Sequence, residues 1–271
     1  MGHGLAQGAH RQRRNSVKES RWSGLGFLLL LLLLWEAAGR YGWVHKLFFP
    51  PATKIFASFY QIVASGEVLG HVGVSLWRAG LGYGLAALVA ITLGVLMGYW
   101  RVVHESFEIV VELLRAIPPP AVIPVAIVFL GIGDQMKVFI ILFSCAFPIL
   151  VNTMDGVRGV DPVLIRTART FGLGQGALLW KVVLPAASPF IMTGLRIALA
   201  IALILVVISE MVGATSGIGY FILDSQRSFR IPQMYAGMLV LALLGYTLNR
   251  CFLLADARLM AWHKGLTARQ R

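Results

Sequence analysis

The stretch Asp161–Pro185, DPVLIRTARTFGLGQGALLWKVVLP, is a polar, basic interval between two of the most apolar segments of the chain. Asp161 followed by Pro162 reads as an N-cap with proline at the first helical position, where its missing amide is not needed. Gly172 stands where a helix ends in a left-handed residue. These signals frame one short helix. Within it Leu164, Ala168 and Phe171 fall at i, i+4 and i+7, which predicts an apolar face, while Arg166, Arg169 and Thr170 point elsewhere. A second short helix is expected from Gln175 to Val183, stopped by Pro185. A helical pair of this size between membrane spans is shaped to dock on another protein.

The surroundings of this interval decide its environment. With 58% hydrophobic residues, 13% charged and a mean hydropathy of +0.76, the 271-residue chain lies outside the range of soluble domains and reads as an all-α polytopic membrane protein. A net charge of +12 would suggest nucleic-acid binding in a soluble protein. Here topology explains it, because Lys and Arg gather in cytoplasmic loops, and no nucleic-acid partner is expected. Cys145 and Cys251 lie in apolar runs without metal-ligand spacing and read as packing residues. No Ser/His/Asp, metal or cofactor pattern stands out, and the histidines are scattered at segment ends. The chain reads as non-catalytic.

About six spans are expected. Met1–Arg21 is a basic tail without apolar period. Gly24 to Tyr41 is a first transmembrane helix; the competing reading, a signal peptide, is opposed by Trp35 and Glu36 where a small-residue cleavage site belongs. Phe48 to Gly70 carries Ile55, Phe56, Phe59, Ile62 and Val63 on one stripe, either an outer interfacial helix or a packed connector. Ser75–Trp100 is the second span. In it Gly82, Ala86, Ala90, Gly94 and Gly98 recur every four residues, a ridge that admits another helix at close range. Arg101–Glu105 is expected to turn, and a third span starts near Phe107 and meets Pro118, Pro119 and Pro120. Irregular backbone at membrane depth is tolerated when buried in protein or lining a cavity. Arg115 to Pro124 is therefore either a wall of a translocation path or a kink at a packed interface.

Gly131–Asp134 is an outer turn and Met136–Met154 the fourth span. After the basic interval, Ser188-Pro189 is read as a new cap and Pro189–Ala214 as the fifth span. Its Arg196 and Glu210 are about 21 Å apart along the axis and cannot pair with each other. Arg196 is read as snorkelling, whereas Glu210, a carboxylate at membrane depth, needs a partner or water. Thr215–Gln233 is an outer loop or re-entrant piece, and Met234–Leu254 is the sixth span. Inner segments defined this way hold more Lys and Arg than outer ones, which predicts both termini on the cytoplasmic side and places residues 157–185 there as well.

Thr167-Ala168, Gly172 four residues after Ala168, and Val182-Val183-Leu184-Pro185 resemble the "EAA" loop of permease subunits of ATP-binding-cassette importers. Arg166 stands at the family's glutamate and Thr167 at its first alanine. Across Phe49–Leu254 the resemblance extends to Phe49-Pro50-Pro51, Ser75-Leu76-Trp77-Arg78, Leu114-Arg115-Ala116-Ile117-Pro118, Phe147-Pro148-Ile149 and Ser216-Gly217-Ile218-Gly219-Tyr220. These look like the branch that imports nitrate, taurine and aliphatic sulfonates.

The resemblance implies a basic tail over 1–23, a transmembrane permease domain over 24–258 with its coupling loop at 157–185, and a cytoplasmic tail over 259–271, in a bacterial inner membrane. It implies that Arg166, Thr167, Ala168, Phe171, Gly172, Leu184 and Pro185 form the coupling element for a separate ATPase. ATP is then used by that partner and no cofactor is bound by this chain, which has no GxxxxGK[ST] loop. A second permease copy, most simply a homodimer, a periplasmic or lipid-anchored binding protein, and membrane lipid complete the partners. Arg115, Pro118, Pro119, Pro120 and Glu210 are the candidate path residues for a small anionic solute. Two other classes compete: an ion-coupled secondary transporter using Glu108, Glu112 and Glu210, which would be expected to be longer and internally repeated, and a membrane scaffold.

Overall fold

A computed structural model describes residues 26–27, 29–41 and 48–260, and every regular element among them is helical. Helix α1 (29–41) is followed by α2 (Ala52–Ala64), α3 (Glu67–Tyr99), α4 (Arg101–Arg115), α5 (Pro119–Leu130) and α6 (Asp134–Arg158). Then come α7 (Pro162–Thr170), α8 (Gln175–Leu178), a π-helical turn (Leu179–Val183), α9 (Leu184–Glu210), α10 (Ile218–Arg227) and α11 (Ile231–Leu259). Four helical stretches are long and apolar enough to cross a bilayer: Glu67–Tyr99, Asp134–Arg158, Gln175–Glu210 and Ile231–Leu259. Taken as one bent span, α4 and α5 make a fifth. The predicted first span lies partly outside the described residues, as do most of both predicted tails.

Helix α6 is the centre of the bundle, packed between α3 and α9. The close approach to α3 rests on the predicted small-residue ridge. A Cβ added at Gly82 would stand 2.7 Å from Ile141, one at Gly94 2.8 Å from the Leu150 carbonyl oxygen, and one at Gly98 2.7 Å from Val157. Between these glycines Ala86 and Ala90 are buried against Ile141, Cys145, Ile149 and Leu150. Without a hydrophobic drive between helices in lipid, such close packing is a main source of association. A second core on the α10 side joins Ile62 of α2, Ile218 and Phe221 of α10, and Ala236 and Val240 of α11. There α2 is a packed connector: Ile55 and Ile62 are buried, while Phe56 remains outside. Helix α1 joins the same side, where Trp35 stacks on Phe49 at 4.6 Å and donates to the Pro50 carbonyl at 3.0 Å.

Several expected boundaries are corrected. No turn occupies Arg101–Glu105: the break is Trp100 alone, and α4 starts at Arg101, where the Arg101–Glu105 pair at 2.7 Å bridges one helical turn. The third span is broken, α4 and α5 meeting at 98°. Pro118 is the N-cap of α5, and Pro119 and Pro120 are its first helical residues, positions whose amides have no intrahelical acceptor. Pro185 does not stop a helix, and Ser188-Pro189 does not start one. From Gln175 to Glu210 the helix is continuous. The π turn, in which the Leu184 amide donates to the Leu179 carbonyl, opens the backbone ahead of Pro185, and this relieves the clash of its ring with the preceding turn. Thr215–Gln233, left open as an outer loop or re-entrant piece, contains the short helix α10, whose Ile218, Gly219, Phe221 and Ser225 are buried.

Candidate functional site

The two ends of the continuous Gln175–Glu210 helix hold the residues of interest. At the inner end, the Asp161 carboxylate accepts from the Val163 amide at 2.8 Å and caps α7, with Pro162 behind it. Helix α7 closes on Gly172, at φ 78°. The Leu173 amide donates to the Ala168 carbonyl at 3.2 Å and the Gly172 amide to the Arg169 carbonyl at 2.9 Å, the two bonds of a Schellman ending. The predicted apolar face is corrected. Ile165, Ala168 and Leu173 turn inward onto Val157, Val160, Leu178 and Val183, whereas Leu164 is exposed and Phe171 is 80% exposed. The reason is the Schellman turn itself, which carries the chain back over the Ala168 side and leaves Phe171 at the corner.

The outward surface of α7 thus carries Val163, Leu164, Arg166, Thr167, Arg169 and Phe171, with Trp180 exposed on the following turn. Leu184 is half-buried and Pro185 exposed where the π turn becomes α9. Exposed aromatic and basic side chains on a small, capped frame are the ingredients of a protein-docking surface.

At the other end Glu210, the last residue of α9, is buried and fully paired. Its carboxylate accepts from Arg78 Nη1 at 2.9 Å, from the Ser75 hydroxyl at 2.8 Å and from the Gly219 amide at 2.9 Å. Ser75 Oγ in turn accepts from the Ile218 amide at 2.8 Å. Arg78 also donates from Nε to Asp134 Oδ1 at 2.8 Å and from Nη1 to the Ser216 carbonyl at 2.8 Å. His71 Nδ1 accepts from the Gly217 amide at 3.1 Å. Gly217, at φ 113°, and Gly219 press their backbones on this carboxylate: a Cβ on Gly217 would overlap the Glu210 carboxyl group, and one on Gly219 the Val207 carbonyl. Lys137, buried in the first turn of α6, lies within electrostatic reach of Arg78, Asp134 and Glu210. Its ammonium group donates to the Gly133 carbonyl at 3.1 Å.

The other candidate path residues are elsewhere. Arg115 ends α4, exposed, with Glu112 at 4.0 Å, and the exposed Pro118 and Pro120 flank the half-buried Pro119 at the corner between α4 and α5. Neither an ion pair nor a hydrogen bond connects them to Glu210 among the described residues.

Sequence reasoning found that Glu210 needs a partner but not which one. Ser75 and Arg78 lie three residues apart on one face of α3, and Arg78 is the lone Lys or Arg of that helix. Pairing the isolated cation of one apolar helix with the isolated carboxylate of another was the signal available. Asp134 and the Ser216–Gly219 backbone carry no such signal, since they contribute through the turns they stand in.

Residues 90–260 match the family model described as "Binding-protein-dependent transport system inner membrane component". Among relatives, the putative aliphatic sulfonates transport permease protein SsuC of Bacillus subtilis is 31% identical over 93% of this chain and 91% of its own length. The taurine transport system permease protein TauC of Escherichia coli is 30% identical over 88% of this chain and 89% of its own. A solved structure of the MetNI methionine ABC transporter, in an inward-facing conformation, superposes with a TM-score of 0.59 at 21% identity, covering 72% of this chain and 94% of that one. That last likeness concerns the fold.

Proposed function

Because this chain belongs to the family of binding-protein-dependent transport system inner membrane components, we propose that it docks an ATP-hydrolysing subunit through α7 and passes a small anionic solute inward. The chain is a multi-pass inner-membrane permease of an ABC importer. The observation that carries the docking assignment is the outward surface of α7, with Leu164, Arg166, Arg169 and Phe171 held by the Asp161 cap and the Gly172 turn. That surface joins a helix running unbroken across the bilayer to Glu210. ATP is consumed in the partner subunit, and a binding protein delivers the solute on the opposite side. Two copies of this chain form the path between them, with both termini of each in the cytoplasm, as the Lys and Arg distribution supports. A sulfonate or a similar anion such as nitrate is the favoured solute class, because the relatives named above are permeases for aliphatic sulfonates and taurine.

Arg166 makes the docking face more basic than a glutamate would, so the partner's cleft offers an acidic group opposite it. The ion-coupled alternative gains nothing from Glu210, whose carboxylate is held by Arg78 and two further donors. The test is co-expression with ATPase and binding-protein subunits, purification, and ATP-driven uptake into liposomes. Co-isolation of the ATPase and uptake of a sulfonate that other anions compete for is expected. Uptake by this chain alone, driven by a proton gradient, would overturn the assignment.

A further inference from the structure

The cluster around Glu210 joins four elements at the point where the Gln175–Glu210 helix ends. Arg78 comes from α3, Asp134 from the start of α6, Glu210 from α9, and Ser216 and Gly219 from the lead-in and first turn of α10. Its arms differ in access to water. The Arg78 and Glu210 side chains are 5% and 0% exposed, while that of Asp134 is 62% exposed. A dry charge pair is expensive to separate because each charge would be left unpaired in a low-dielectric site. A pair with one wet member exchanges with water at little cost. The cluster is thus graded: Arg78, Glu210 and the first amides of α10 form its dry part, and Asp134 joins it by an arm open to water that can let go while α6 stays packed between α3 and α9. Gly131, at φ 73°, and Gly133 stand immediately before Asp134, in the turn where α6 meets α5.

We propose that this cluster is the outer terminal of the coupling helix, with Arg78 and Glu210 as positioning residues that make α10 move with α9, and Asp134 as the arm that releases. This rests on the docking role assigned to α7. Displacement of α7 by the ATPase enters a helix of about 54 Å at 1.5 Å per residue. At its far end no slack remains, because Gly217 and Gly219 lie directly against the Glu210 carboxylate. Helix α10 therefore follows α9, and the Asp134–Arg78 contact is exchanged for water as the outer side opens.

The experiment measures ATPase activity of the full complex in liposomes, with and without binding protein, together with thermal unfolding of the permease. In Asp134→Asn the releasing arm is weakened. The basal rate is expected to rise toward the stimulated rate, with the ratio of stimulated to basal activity falling about threefold, equivalent to roughly 0.7 kcal/mol. Asp134→Glu should restore the ratio, and the unfolding midpoint should stay close to wild type in both. A second variant, Arg78→Lys, keeps the charge but cannot bridge Glu210, Ser216 and Asp134 at once. It is expected to hydrolyse ATP while transporting less solute per ATP. A ratio unchanged in Asp134→Asn, or one that changes only alongside a fall in the unfolding midpoint, would overturn the proposal by making the cluster a structural brace. A wild-type complex that the binding protein does not stimulate would instead sink the underlying docking assignment, and this proposal with it.

Discussion

The inner and outer ends of the helix Gln175–Glu210 are built by opposite means. At the inner end, α7 is held by one carboxylate cap and one left-handed glycine, and it turns Phe171 and Leu164 outward. Its inward contacts are a few aliphatic side chains, Ile165, Ala168 and Leu173. At the outer end Glu210 is buried and accepts from three different donors, with backbone pressed against it from Gly217 and Gly219. One end leaves apolar and basic side chains exposed; the other pairs its buried carboxylate internally. A docking element has to leave its binding energy uncommitted, whereas an intramembrane carboxylate has no water to fall back on. The contrast predicts that removing the buried Glu210 acts on folding, and that substitutions on the outward surface of α7 act on association.

The sharpest break of this contrast is Glu210→Ala, which removes the buried carboxylate from Arg78 and leaves it the exposed Asp134 and the Ser216 oxygens. A loss of about 3–5 kcal/mol is expected, read as a collapse in folded yield and unfolding temperature in detergent. Phe171→Asp comes next and tests the other end. Its effect on the unfolding of the permease should be within about 0.5 kcal/mol, while affinity for the ATPase should fall by about 2 kcal/mol, roughly 30-fold in a binding titration. Gly172→Ala blurs the contrast, because the residue belongs to the frame of the docking face. Forcing a Cβ into φ 78° should cost about 1 kcal/mol, visible as weaker ATPase association with little change in the transmembrane core. Smallest is Arg166→Glu, an exposed charge reversal. It should weaken association by about 1 kcal/mol at low salt and less at high salt, as expected when the partner carries an acidic group. Tighter association would place a basic group in the cleft.

What the sequence disclosed follows the range of the interactions involved. The Asp161 cap, the Gly172 turn and the Gly82–Gly98 ridge obey rules that operate within a few residues, and the structure contains all three. Pro185 misled because the same local rule has two outcomes: proline ends a helix, or a wider turn ahead of it absorbs the clash, as the π turn does. The inward face of α7 is not readable from local pattern because Leu164 and Ile165 are equally apolar, and only the return path of the chain after Gly172 decides between them. Of the outer cluster, Glu210 was visible as a carboxylate in need of a partner. Its partners Arg78 and Ser75 stand 132 and 135 residues away, joined by the way α3 and α9 flank α6. The corner at Pro118–Pro120 and the end of α4 at Arg115 were legible as a break in regular structure, since consecutive prolines dictate one.

The most direct test of the account is uptake of radiolabelled sulfonate into liposomes holding the permease, its ATPase and ATP, with binding protein outside, for wild type and Phe171→Asp side by side. The account predicts ATP-dependent uptake for wild type and near-total loss for Phe171→Asp, with both permeases unfolding at the same temperature. Equal uptake by the two would contradict it, because α7 would then not be the element through which ATP hydrolysis reaches the membrane spans.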